Sequence, residues 1–391
     1  MSSKNKRFIL AGSYYAYTVT GMVVLILGSI MPYLREDFGI SYDKTGLLIA
    51  LLAVGNLIAS LIGGIVSDYI GRKIILLIGS MFLALGFGGF LIATSVQQLY
   101  IFTLIAGLGW GVMNSIVNAM VSDATSGDAS VMNILHMFFA VGAFLSPFVM
   151  GLVIRLGLNW TYGIYLLVGL SIIQFIIFTI MPIPKSDKKI EVDENDSSSP
   201  RDLSFLKTPR YYLFIVILFS YVGVENIING WLVTYFVDMN ILDEFGAQNA
   251  LSTFWIGLIV GRIATSYLAS RLSKEDILLT SGLGGLVTIM LFLIAPGKLT
   301  ILICMFLSGM FYSAIYPTVI ANASPMIKNS GTAAGVMLSA GGLGGAALPY
   351  LTGIVSKNSN IQIGMKTIAI YGMLVGILII INKVKYEKKY I

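Results

Sequence analysis

Twelve times along this chain an apolar run returns that is long enough to cross about 30 Å of hydrocarbon. The runs lie near residues 9–33, 44–66, 74–95, 99–121, 132–155, 159–181, 211–238, 247–270, 276–295, 298–324, 332–355 and 363–382. A segment in lipid must satisfy its own backbone hydrogen bonds, so runs of this length are read as α-helices. The expected fold is therefore an all-α membrane protein with twelve transmembrane helices. Composition agrees: 57% of the residues are hydrophobic, 11% are charged and the mean hydropathy is +0.86, whereas soluble domains carry about a quarter charged residues. The opening MSSKNKRF leads straight into the first apolar run without a small-residue cleavage site, and is expected to precede an uncleaved first span.

The net charge of +6 could suggest a nucleic-acid partner, but the placement of the basic residues points elsewhere. With the N-terminus in the cytoplasm, eighteen Lys and Arg fall in inner segments, six in outer segments, and Arg262 lies within a span. That bias follows the positive-inside rule and predicts both termini in the cytoplasm of a plasma (inner) membrane. The expected partners are the lipid bilayer, a small-molecule solute and protons, with no nucleic acid and a monomeric chain. One Cys, Cys304, and one His leave no disulfide framework and little scope for a metal cage, so neither a metal nor a cofactor is expected.

One polar stretch, PIPKSDKKIEVDENDSSSPRDLSFLKTPR, breaks the apolar rhythm and reads as a cytoplasmic linker at 182–210. It divides the spans into two bundles of six, 1–181 and 211–391. An offset of 202 residues lays Gly142, Pro147 and Gly151 on Gly344, Pro349 and Gly353, and Gly55 on Gly257. Two pseudo-symmetric six-helix bundles are the economical reading, although glycine and proline can recur by chance in apolar sequence. Repeated halves are a transporter plan in which the site lies near the membrane midplane.

After the second span, GGIVSDYIGRK places Gly64, Asp68, Gly71, Arg72 and Lys73 at the spacing G-xxx-D-xx-G-R-K. This resembles the loop signature of the major facilitator superfamily, and the resemblance extends over the whole chain. It implies the major facilitator fold and a conformational latch in which Asp68 meets the Ser330–Gly331 end of span 11, an acid near a helix N-terminus. In the second half Ser270 stands where that acid would be, so the latch is expected in the first half alone. SVMNILHMFFAVGAF, YVGVENIINGWLVTYF, GRIATSYLASRL and YSAIYPTVIANASP resemble the fucose permease-like sugar carriers of the superfamily. That implies a cavity lined by spans 1, 4, 7 and 10, and proton-coupled sugar uptake. The first span, however, lacks a carboxylate where the fucose permease has one, and span 4 has Asn114 and Asn118 instead of an acid.

Proton coupling then leans on Glu225, which falls within about one turn of the middle of span 7. Intramembrane ionisable groups mostly face a cavity or pair with one another, and they mark pathways. Tyr221, Glu225 and Asn229 follow at i, i+4 and i+8 with Asn226 beside them, giving one polar helix face. Glu225 is read either as a proton and substrate site or as a structural carboxylate locked to Arg262. Arg262 lies about eight residues, roughly 12 Å, from the inner end of span 8, and is open to a reading as a gate or packing charge. His136, with Asn133 three residues before it, suits substrate binding, proton relay or plain structure. Asn114, Asn118, Tyr312 and Tyr316 complete the candidate substrate-binding set, flanked by Trp110, Tyr14, Thr18, Asn56 and Asn322. Amides beside aromatic faces suit a sugar, and they equally suit helix–helix contact.

No nucleotide-binding loop of the form G-x-x-x-x-G-K-[ST] is present, and GGLGG at 341–345 sits within a span. The expectation is a non-enzymatic secondary carrier that imports a small polar solute, a sugar, by proton symport through alternating access. A proton-antiport exporter of drugs or metabolites is the alternative, and a non-transporting membrane sensor a more distant one.

Overall fold

The computed structural model describes residues 3–183, 204–327 and 330–386. Among them are twelve helices long and apolar enough to cross a membrane: α1 (Ser3–Phe38), α2 (Tyr42–Ile70), α3 (Arg72–Phe90), α4 (Val96–Thr125), α5 (Ser130–Arg155), α6 (Thr161–Ile180), α7 (Pro209–Asp238), α8 (Glu244–Leu268), α9 (Lys274–Ile294), α10 (Lys298–Ile327), α11 (Thr332–Asn358) and α12 (Ile361–Tyr386). Several helices exceed the sequence-based spans by a turn or more at their polar ends, because hydropathy reports only the lipid-facing length. The expected linker at 182–210 lies mostly outside the described residues; at its end Ser204–Lys207 forms a 3₁₀ turn and α7 begins at Pro209.

Helix starts follow from local chemistry. Ser95, Asp128, Asp243, Ser273 and Ser330 each accept a backbone N–H from the first turn of α4, α5, α8, α9 and α11, satisfying donors that a helix leaves open. Between α2 and α3 there is no room for a cap. Gly71 turns the chain with φ +91°, a conformation that side-chain-bearing residues rarely adopt, so the signature glycine is a requirement of the turn.

The chain divides into two compact units, Met1–Val192 and Asp193–Ile391. In the first, α1 packs along α5 and α2 along α4, with α3 against α4 and α6. In the second, α7 packs along α11 and α8 along α10, with α9 against α10 and α12. The repeat is written in the helix contacts. A Cβ at Gly142 would fall on the carbonyl oxygen of Thr18, and one at Gly344 on that of Phe219. Gly107 and Gly309 stand in the same relation to Leu52 and Phe254, and Gly55 and Gly257 to Leu104 and Phe306. Each pair of glycines is 202 residues apart. Where lipid supplies no hydrophobic drive between helices, backbone-to-backbone approach of this kind selects the partner.

The fourth helix of each unit is irregular at related places. In α4, Met113–Val117 forms a π-turn; α10 is interrupted at Ser313–Ala314, between Lys298–Tyr312 and Ile315–Ile327. Pro317 accounts for the second break, since its ring displaces the carbonyl four residues earlier, that of Ser313. The first has no proline, and π-turns of this sort are concentrated at functional sites.

Candidate functional site

In the first unit the polar residues converge on the π-turn. The Tyr17 hydroxyl of α1 donates to the Asn114 carbonyl oxygen at 3.1 Å. The Asn118 amide nitrogen donates to that same hydroxyl and to Asn114 O, the latter at 2.7 Å. Asn118 Oδ1 is buried and has no hydrogen-bond partner among the described residues. His136 of α5 meets the Tyr17 ring edge-on at 5.6 Å between ring centres, and Tyr14 stacks on Phe138 at 4.7 Å. Asn114, Asn118, Tyr17 and His136 thus form one cluster drawn from α1, α4 and α5. Asn56 instead accepts at 3.4 Å from Ser60 one turn along α2, and Ser60 also reaches Gly111 O of α4 at 3.2 Å.

In the second unit the cluster is built on α7. The Tyr221 hydroxyl donates to Glu225 Oε2 at 2.6 Å, and its ring stacks on Tyr312 of α10 at 5.7 Å between centres. Tyr221 and Tyr312 are buried, whereas Glu225, Tyr316 and Arg262 keep partial exposure. Among the described residues Glu225 has no ion pair; Arg262 and Tyr316 lie near enough for electrostatic interaction with it, but the Arg262 guanidinium is beyond contact range. The carboxylate therefore rests on a tyrosine hydroxyl rather than on a guanidinium. Asn229, one turn further along α7, is buried, with its Oδ1 accepting the Trp255 indole N–H of α8 at 3.1 Å. Asn226 donates to the Val222 carbonyl at 2.9 Å and packs against Gly345 of α11. The helical spacing that groups Tyr221, Glu225 and Asn229 thus resolves into a tyrosine–carboxylate site and a separate α7–α8 brace.

The signature residues at the α2–α3 turn take distinct places. Gly64 has open space around it, and Ser67 donates back to its carbonyl at 2.7 Å. Asp68 is exposed. Arg72 pairs with Asp123 at the end of α4 at 2.6 Å, and Lys73 donates to Met181 O at 3.4 Å, capping the last turn of α6. Asp123 is a partner that sequence reading missed; the run VSDATSGD, acidic at the end of an apolar span, was its only signal. Trp255 and the π-turn were missed too, the first because an indole on an apolar face reads as lipid-facing.

Two repeated six-helix units, with amides, tyrosines and one carboxylate placed along α1, α4, α5, α7 and α10, define a multi-pass membrane carrier. The chain belongs to the Major Facilitator Superfamily, whose family model matches residues 14–383. It is 24% identical over 396 residues to the glucose/mannose transporter GlcP of Bacillus subtilis (strain 168), covering 97% of each chain. Protein TsgA of Escherichia coli O6:K15:H31 is 22% identical over 380 residues, covering 94% of this chain and 92% of that one. Among solved structures, the D-xylose-proton symporter superposes with a TM-score of 0.80 at 14% identity over 96% of each chain. The nucleoside transporter NupG does so with a TM-score of 0.72 at 16% identity, over 98% of this chain and 100% of that one.

Proposed function

We propose that this protein is a secondary active transporter, without enzymatic activity, that imports a small polar solute, a sugar, by proton symport through alternating access. The observation that carries the reading is Glu225. An acidic residue at the centre of a membrane helix costs about 2.5–3.5 kcal/mol on insertion scales, and among the described residues this one forms no ion pair: the Tyr221 hydroxyl holds it at 2.6 Å and Arg262 acts on it only from a distance. A carboxyl group in that setting exchanges a proton when its surroundings change. Tyr221 and Tyr312 supply hydroxyl and ring beside it; Asn118 and Asn114 supply amide donors and acceptors, with Tyr17 and His136 as aromatic flank. Sugar hydroxyls need such hydrogen bonds, and the C–H faces need flat apolar contact. The likeness to a glucose/mannose transporter adds support.

In this reading Glu225 carries the proton, the candidate solute contacts of the second unit are Tyr312, Tyr316 and Arg262, and those of the first unit are Asn114, Asn118 and His136. Asn226 and Asn229 hold the α7 face in place. The Gly64, Asp68, Gly71, Arg72, Lys73 set is a conformational latch, and the chain acts as a monomer in the plasma membrane with both termini in the cytoplasm. The test is uptake into vesicles of purified protein, with D-glucose, D-mannose and D-xylose offered under an imposed inward proton gradient. Gradient-stimulated uptake of one of them supports the reading. Extrusion of solute against a proton influx would replace it with the antiport alternative, and binding without flux in either direction would overturn carriage.

A further inference from the structure

Towards α3 and α6, the π-turn of α4 rests on a buried polar relay that the proposed site does not use. Gln174 is the one amide in α6, TYGIYLLVGLSIIQFIIFTI, and it is completely buried. Its side-chain nitrogen donates to Ser80 Oγ of α3 at 3.2 Å and to Met113 Sδ of α4 at 3.0 Å. Ser80 passes the chain on, donating to Leu76 O at 2.9 Å. Met113 is the first residue of the π-turn, and Gly79, beside Ser80, leaves the room it needs: a Cβ there would lie 2.6 Å from Met113 Cε. Gln174 Oε1 is buried and has no hydrogen-bond partner among the described residues. A half-satisfied amide among apolar helices is expensive, so what it holds must matter to the fold or the site.

The residue after Met113 is Asn114, whose carbonyl receives both Tyr17 and Asn118. A π-turn carries an extra residue, and removing it would rotate everything that follows by about 100°. Reverting to a plain α-turn would therefore swing Asn118 off Tyr17. We propose that Gln174 is a positioning residue for the solute-binding face of α4: it anchors Met113, maintains the π-turn, and so aims Asn114 and Asn118. This rests on the reading that Asn114 and Asn118 meet the solute.

Gln174→Met keeps length and bulk while removing both donated bonds; Met113→Leu removes one. Two measurements separate the possibilities: sugar counterflow with D-glucose, D-mannose and D-xylose, and hydrogen exchange of the backbone amides in 110–120. Gln174→Met is expected to raise KM about tenfold with Vmax within twofold, and to speed exchange in 110–120 about tenfold while α3 and α6 stay as they were. Met113→Leu moves both in the same direction by less, and the double variant is no worse than Gln174→Met, as members of one relay are not additive. Unchanged KM with unchanged exchange overturns the proposal, and so does a fall in Vmax and melting temperature together at constant KM. Wild-type protein that carries none of the three sugars contradicts the functional reading, while the exchange rates still decide the role of Gln174.

Discussion

Tyr17 is the residue on which the first-unit cluster turns, because it both accepts from Asn118 and donates to Asn114 O. Tyr17→Phe removes both bonds of the hydroxyl but leaves Asn118 bonded to Asn114 O, so stability should fall by two net hydrogen bonds, about 1–3 kcal/mol, read as a drop in the melting temperature of solubilised protein. Counterflow affinity should fall as well, several-fold, since Asn118 loses its orientation. Trp255→Phe is the opposite case. It strands the buried Asn229 Oδ1, costing about 1–3 kcal/mol, with solute affinity unchanged because Asn229 braces α7 against α8. A matched loss of affinity in Trp255→Phe, measured by the same counterflow, would return Asn229 to the solute. These residues were legible in sequence as polar positions on helices, since an Asn or Glu in an apolar run stands out. Their partners were not: Tyr17 to Asn118 and Asn229 to Trp255 depend on helix rotation, which a period of 3.6 leaves open.

At the scale of the element, the helices came from hydropathy and the repeat from glycine spacing, while which helices pair did not. Both are legible because lipid forces the first and close backbone approach the second. The π-turn was not legible, as GVMNSIV has no proline and no pattern that marks an extra residue, and its contact with Gln174 of α6 is distant in sequence. Helix packing yields a sharp contrast. Gly309→Ala places a methyl on the Phe254 carbonyl oxygen and should sharply reduce the yield of monodisperse protein on size exclusion, whereas Gly64→Ala meets open space and should elute at the wild-type level. The α2–α3 turn gives another. Asp123 in the Arg72 pair is 54% exposed, and exposed pairs contribute about 0–1 kcal/mol, so Asp123→Asn should barely shift the melting temperature. If transport rate falls in that variant at constant stability, the pair acts on conformational exchange; a matching loss of stability would make it simple scaffolding.

For the whole molecule, internal repetition is the strongest signal, since the same glycine contacts and the same helix order occur twice at one offset. The chemistry, however, is not repeated. The first unit offers amides around a π-turn, and the second a carboxylate that accepts from Tyr221, whose ring stacks on Tyr312. The basic residues predict that reporter fusions at either terminus will be active in the cytoplasm and silent outside it; an outward C-terminus would break the positive-inside reading. The central claim is that Glu225 couples proton movement to solute. Vesicles containing wild-type protein and Glu225→Gln should be compared for sugar accumulation under an inward proton gradient and for exchange at equilibrium. The expected result is that Glu225→Gln loses accumulation above equilibrium while its exchange stays within a fewfold of wild type. Undiminished, gradient-driven accumulation by Glu225→Gln would contradict it.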